Sequence, residues 1–442
     1  MKKILHITAN MLLILSLCGC ASPNYGSTAE ASDSGATLGK QVFIDEVEVS
    51  GMTVEQAIQA LEPAQAIRLK GITYTVAAPQ GAVAFTADAL PIEFNTHEVL
   101  LEALSTPTYA RGVYFTTPCA NLEGLRGALT RLTQELCSPA QNAQALYDKQ
   151  AAGLFTFEPA AEGAQIDVPA LALELQALIP QAQSARLEAR SVPISPSYTD
   201  EMARADSQLI AEFSTSFASG GNSKKERVFN ISKAAGLIDG ARLAPGEEFD
   251  ANAALGDRNA ENGWKIAAGI RDGGYVQEYG GGVCQVSSTL YNAVLMADLE
   301  VTERWHHSWP LAYISAGRDA TISTGGPNFR FINTKDIPIV LSTHVDTKAK
   351  TITIRIYGRP PQDGSTIRIT SKKTGRLEDL GTEYVVDKSL APGQTEEVRK
   401  SRRGCTAITY KEYYDASGKA LRREVVSEDK YRSIRGLVKV AP

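Results

Sequence analysis

Histidine and tryptophan are scarce in this chain, with five His and three Trp among 442 residues. Two of the histidines, His306 and His307, are adjacent, but neither they nor Cys284 has a second close Cys/His pair at zinc-finger spacing. Neither a metal nor a cofactor is therefore expected. Long runs of Lys or Arg are missing and the net charge is −5, which argues against nucleic acid as a partner. Beyond residues 1–20, no stretch approaches the ~18 uninterrupted apolar residues of a membrane helix.

What is present is ordinary globular material, 43% hydrophobic and 21% charged, enough for about two to four domains at this length. The start of the chain differs. Lys2 and Lys3 precede a short apolar run, Met11–Leu17, which leads into Leu17-Cys18-Gly19-Cys20. A basic start, a short apolar stretch and small residues read as a secretory signal over 1–20. The tetrad resembles a bacterial lipobox, which implies that Cys20 is lipidated and becomes the mature N-terminus. A plain secretory signal with incidental cysteines is the alternative. Residues 21–40, rich in Ser, Gly and Ala, read as a flexible tether. The expected location is extracytoplasmic, with one end held at the membrane by lipid.

Strand and helix signals alternate through 41–195, an α+β region. Thr53-Val54-Glu55-Gln56 has the form of a capping box, and Ile72, Tyr74 and Val76 alternate as a strand. Asp167 caps a helix starting at Val168. Export permits disulfides, and Cys119 and Cys137 invite pairing. Between them, however, Leu122, Leu125, Leu129, Leu132 and Leu136 mark one helical face. A helix of that length holds its ends roughly 20–25 Å apart, so no bond is expected.

The most informative strip is GGGVCQVSSTLYNAVL, Gly280–Leu295. Val286, Leu290, Ala293, Val294 and Ala297 recur at the spacing of one helical face. Gly280, Gly281 and Gly282 suit a tight turn better than a helix. Cys284 is thus placed in the first helical turn, where unpaired N–H groups and the helix dipole favour a thiolate. The glycines could cradle an anion, but no Lys or Arg follows as in a phosphate-binding loop. Ser287, Ser288 and Thr289 lie one turn in and lack a nucleophile-elbow sequence.

Downstream of Cys284 come His306, His307 and Asp319. A helix-borne Cys, then a His, then an Asp on a following sheet is the chain order of transglutaminase-like and papain-like thiol enzymes. There the imidazole takes the thiol proton and the carboxylate orients the ring. Gln285 or the N–H of Cys284 could stabilise an oxyanion. Bland readings stand beside these: a cysteine serving as a small core hydrophobe, and an Asp319 that shapes a turn or pairs with Arg318. Trp305 and Trp309, with His306, could line a ligand site next to the glycines or simply pack.

Several segments in order carry a resemblance: FSTSF (Phe213–Phe217), NISKAAGLIDGARLAPGEEFD (Asn230–Asp250), the Cys284 strip, ERWHHSWPLAYISAGRDATI (Glu303–Ile322) and NFRFINTKDIPIVL (Asn328–Leu341). Together they resemble the VanW family, named after an accessory protein of glycopeptide-resistance clusters. EEFDANAAL (Glu247–Leu255) departs from a more aromatic family stretch without touching the Cys or His positions. The family's pattern places its histidine directly before a serine, which selects His307 over His306. DVPALALELQALIP (Asp167–Pro180) resembles the peptidoglycan-binding domain often found upstream of VanW domains. After Pro360-Pro361 and Gly364, short β-prone runs such as Thr366–Thr370 and Thr406–Tyr410 suggest a small all-β module over 365–442, similar in rhythm to G5 domains.

The expected protein is multidomain and α+β: an N-terminal α+β region (41–195), a central VanW domain (205–358) with a Cys-bearing helix packed on a β-sheet, possible kin of the transglutaminases, and a C-terminal β module. It would bind peptidoglycan or another wall component in an accessory role, with no oligomeric state indicated. Alternatively, a Cys284–His307–Asp319 triad would act on peptidoglycan stem peptides as a transferase or hydrolase. The lipobox reading predicts that Cys20→Ala abolishes lipid attachment and releases the protein from membranes, as mass spectrometry and fractionation would register. A wild type without lipid, or a variant that still partitions with membranes, contradicts it.

Overall fold

A computed structural model describes residues 35–107, 110–218, 224–271 and 274–442. The signal segment, Cys20 and most of the tether lie outside the described residues. The chain divides into two compact units. The first contains Met1–Asn142 and Ala161–Ser197, and the second contains Ala143–Ala160 and Tyr198–Pro442.

In the first unit, Thr53 caps the helix Val54–Leu69, and Gln56 completes a reciprocal capping box. Ala57 and Leu61 of that helix are buried with Val42, Ile44 and Leu100 in one small core. A second core gathers Tyr74, Val76, Leu125, Leu129, Leu171, Leu175 and Leu187. There the strand Thr73–Ala78 lies between Gly81–Thr86 and Ala185–Glu188. Asp167 accepts from the N–H of Ala170 and starts the helix Val168–Leu178. The leucine-faced segment is one α-helix only to Leu132, and a 3-10 turn, Gln134–Leu136, follows. Cys137 is a free, exposed thiol.

The sequence break near 195 is not a clean boundary. The hairpin of Gln144–Tyr147 and Phe155–Glu158 belongs to the second unit. The reason is local: the Tyr147 hydroxyl donates to Asp239 at 3.1 Å and accepts from the Ser342 hydroxyl at 3.0 Å, and the Phe155 ring packs edge-on to Tyr357.

The second unit is built on a four-stranded antiparallel sheet in the order Gln208–Ser216, Thr351–Gly358, Ile339–Asp346, Arg242–Leu243. Residues alternate along Thr351–Gly358, so Ile352, Ile354 and Ile356 all turn into the core. Each such burial contributes about 1.5–3 kcal/mol. Two helices, Lys225–Ile238 and Val283–Met296, pack against this sheet and each other. The second of these is the Cys-bearing helix, and it differs from the one-faced helix suggested by its apolar spacing. Every residue from Gln285 to Leu295 is buried, because a C-terminal sheet covers it as well.

That C-terminal sheet joins Thr366–Arg376, Cys405–Tyr414 and Ala420–Tyr431 in antiparallel fashion. Its Ile369 enters the same core as Leu290 and Val294 of the Cys-bearing helix. A smaller sheet, Thr382–Val386, Gly436–Val440 and Thr395–Arg399, completes an all-β C-terminal region. The Pro360–Gly364 break is thus a change of sheet inside one compact unit. Among the described residues, no helix is long and apolar enough to cross a membrane.

Cys137, Cys284 and Cys405 are free thiols, and the helix between Cys119 and Cys137 argues against a bridge there. Thiol titration in denaturant, without reductant, should therefore find each of them reactive. A mapped Cys119–Cys137 bridge would mean that the leucine helix is broken in the protein.

Candidate active site

The glycine turn sets the site's geometry. Gly280 and Gly282 have φ of +76° and +110°, a region that side chains disfavour. Gly281 faces the hairpin of Ile266–Arg271 and Gly274–Tyr279, and a Cβ there would lie 2.5 Å from the Ala267 carbonyl oxygen. Three glycines thus let the chain turn under the hairpin and enter the helix at Val283. Cys284 is the second helical residue and is partly exposed.

Cys284 opens onto a cleft of about 630 Å³. The glycine turn, Arg227, Arg258, Glu278, His307 and Tyr313 also line it. The thiol lies 3.4 Å from the Ile322 carbonyl oxygen, to which it can donate. Of the first-turn N–H groups, Val283 donates to Gly280 and Gln285 to Gly282. That of Cys284 has no acceptor among the described residues. The hydroxyl of Thr321, in the cleft wall, is buried without a partner among the described residues.

His307 and Asp319 lie in a segment, 304–329, without helix or strand, rather than on the sheet expected from sequence. The buried Asp319 carboxylate accepts from His307 Nδ1 at 2.7 Å and from the His307 backbone N–H at 2.7 Å, both through Oδ2. Nε2 is the ring nitrogen left to face the thiol, and His307 acts on the ionisation of Cys284 as its charged neighbour. The structure therefore brings Cys284, His307 and Asp319 into one Cys–His–Asp chain.

The electrostatics follow from that chain. Burial pushes the Cys284 thiol up, but the neighbouring His307 outweighs it, and the net direction is down. Burial disfavours imidazolium, yet Asp319 and the thiolate raise His307 to about 9. Asp319 feels the same burial, and His307, Arg304 and Tyr431 hold it at about 2. The net tendency is a thiolate–imidazolium pair backed by a carboxylate.

Polar residues on the Cys-bearing helix explain how the irregular segment is held. Ser287 Oγ donates to Ala320 O at 2.7 Å, and the Ala320 N–H donates to Ser288 Oγ at 3.0 Å. Asn292 donates to Arg318 O and accepts from Arg318 Nε. Ser287, Ser288 and Asn292 are thus struts for the Asp319 segment.

Four expected site residues take other places. The Gln285 side chain is buried, donating to Thr215 and Ser216 and accepting from Arg227 Nη1, so its amide is not open to an oxyanion. Trp309 is buried under Arg402, away from the cleft lining. Trp305 is 55% exposed and donates to Glu303. His306 Nδ1 pairs with the His307 carbonyl, and its ring packs on Tyr431. Gly280, Gly281 and Gly282 do line the cleft. Arg227, Arg258, Glu278 and Tyr313 were missed because they come from separate stretches that meet only in the folded chain. Burial keeps the Tyr313 hydroxyl protonated, and it bonds Ser288.

The second unit is α+β and carries a partly exposed, helix-borne cysteine facing a His–Asp pair. Residues 226–357 match the family model described as "VanW like protein". "Uncharacterized protein YoaR" of Bacillus subtilis (strain 168) is 40% identical over 157 residues, which cover 35% of this chain and 51% of that protein. The chain thus spans about half the length of that curated relative. Two solved structures also match. "IgA1 Protease G5 domain structure" is 15% identical, covering 18% of this chain and 89% of its own at a TM-score of 0.14. "Crystal structure of HP0197-G5" is 16% identical, covering 17% and 95% at a TM-score of 0.11.

Gly281→Ala should destabilise the second unit by about 1–3 kcal/mol, the usual scale for forcing an extra carbon into a packed site. The clashing atom is backbone and cannot rotate away. Thermal unfolding measures this, and an unchanged melting temperature would contradict the turn's role.

Proposed function

We propose that this is an extracytoplasmic cell-envelope protein, held at the membrane through Cys20, whose VanW-family domain is a cysteine-dependent acyltransferase or amidase. Its substrates would be amide bonds in peptidoglycan stem peptides. The observation that carries the catalytic reading is the Cys284–His307–Asp319 chain, opening on a cleft large enough for a peptide. The envelope and substrate assignments rest on the signal-like start and the family resemblance.

In this reading the Cys284 thiolate attacks the amide carbonyl carbon, forming a C–S bond as the carbonyl electrons move onto oxygen. The Cys284 N–H is positioned to donate to that oxyanion. Imidazolium His307 gives its Nε2 proton to the departing amine as the C–N bond breaks, leaving a thioester. A second amine or water, deprotonated by His307, then attacks the thioester and regenerates the thiol. Asp319 holds the ring by Nδ1 and offsets the imidazolium charge. A turnover-free wall binder is the second reading, favoured by the resemblance of Asp167–Pro180 to a peptidoglycan-binding domain.

Incubation of the purified full chain with peptidoglycan fragments, read by mass spectrometry, separates the two. Cleaved or exchanged stem peptides from wild type and none from Cys284→Ala support catalysis. Retention on sacculi by both, without new masses, supports binding alone. Turnover should rise with pH through the depressed thiol pKa. It should fall as pH passes about 9, where His307 loses the proton that the leaving amine needs. A flat profile across that range contradicts the ion pair.

A further inference from the structure

The match to the VanW family ends at residue 357, yet the Asp319 carboxylate is not held by that stretch alone. Its Oδ2 serves His307, and its Oδ1 accepts the hydroxyl of Tyr431, at the end of the third strand of the C-terminal sheet. The same Tyr431 oxygen accepts from the Gly317 N–H at 2.6 Å. Tyr431 is fully buried, and its ring packs on His306 at 5.0 Å between centroids.

Two further clamps reach the segment from the same sheet. Thr409 Oγ1 donates to the Gly317 carbonyl at 2.8 Å, so close that a Cβ on Gly317 would meet Thr409 Oγ1 at 2.3 Å. Arg304 Nε donates to the Asp319 carbonyl at 2.7 Å, and its Nη2 lies 3.5 Å from Asp319 Oδ1. Arg304 is in turn fixed by Asp429, whose two carboxylate oxygens accept from Nη1 at 2.7 and 2.8 Å. The Arg432 N–H also donates to the Ser308 carbonyl.

A segment without helix or strand has no internal ladder to fix it. Its position depends on what it is bonded to. On one side are the struts of the Cys-bearing helix, and on the other is the C-terminal sheet. We infer that the C-terminal sheet is an integral part of the active centre, with Tyr431 as a positioning residue for Asp319 and Asp429 acting on the same carboxylate through Arg304. The inference rests on the catalytic reading above. In functional terms, the VanW-family stretch needs the β module to align its histidine.

Tyr431→Phe removes one hydroxyl and keeps the buried ring, so packing changes little. It takes one donor from the Asp319 carboxylate and frees the Gly317 N–H. With Asp319 less fixed, His307 should stabilise the thiolate less. The groups that face the thiol directly, His307, Arg258, Glu278 and Tyr313, are untouched.

The test uses the full chain. Iodoacetamide labelling of Cys284 is followed by peptide mapping across pH for wild type, Tyr431→Phe, Asp429→Asn and His307→Ala, with thermal melting as a folding control. The expected result is a wild-type thiol profile well below that of free cysteine. It should move upward in His307→Ala, and by about one pH unit in Tyr431→Phe, a tenfold loss of thiolate at a fixed acidic pH. Asp429→Asn should move it the same way, which keeps the idea testable should Tyr431→Phe prove unstable. Folded Tyr431→Phe and Asp429→Asn proteins with wild-type profiles, beside a shifted His307→Ala, would overturn the positioning role and leave the triad standing. A wild-type profile like that of free cysteine, unmoved by His307→Ala, would overturn the triad and this inference with it.

Discussion

A single buried carboxylate organises the functional half of this molecule. Asp319 accepts from the ring and backbone of His307, from Tyr431 and, at longer range, from Arg304. An ionised carboxylate out of water is tolerated only with such donors. Each donor therefore fixes a different piece of structure around it. His307 brings the cleft, Arg304 brings Asp429, and Tyr431 brings the C-terminal sheet. Removing one donor would cost more than a single hydrogen bond, since the remaining charge stays buried.

The cysteine side of the cleft depends on backbone rather than charge. Three glycines let the turn pass beneath the hairpin at a distance no side chain would permit. The helix that follows is buried all round, which is unusual for a sequence so rich in hydroxyls and amides. Those polar groups find partners in the irregular segment, on the strand Gln208–Ser216, on the helix Lys225–Ile238 or within the helix itself, with Ser288 bonding both Cys284 O and Ala320 N–H. One set of bonds thus satisfies the buried helix and holds the His–Asp segment in register with the thiol.

The most legible parts of the sequence were local. The capping box at Thr53, the Asp167 cap and the alternation around Tyr74 each follow from contacts within a few residues. The placement of Cys284 at a helix start was legible for the same reason, because consecutive glycines end where helical spacing begins. Gln285 and Trp309 suit an oxyanion and a ligand site by residue type alone. Their actual partners, Thr215, Ser216, Arg227 and Arg402, come from distant segments.

The sequence alone determined the α+β character, the all-β C-terminal region and the residues from which a thiol site could be built. It did so because period, capping and turn chemistry act over short stretches of chain. The tertiary structure decided that His307 and Asp319 meet Cys284, that the 143–160 hairpin joins the second unit, and that Tyr431 closes on Asp319 from more than a hundred residues away. Hydrogen bonds between distant segments leave no periodic trace in sequence. Their partners are chosen by packing, and packing exists only once the sheets and helices have come together.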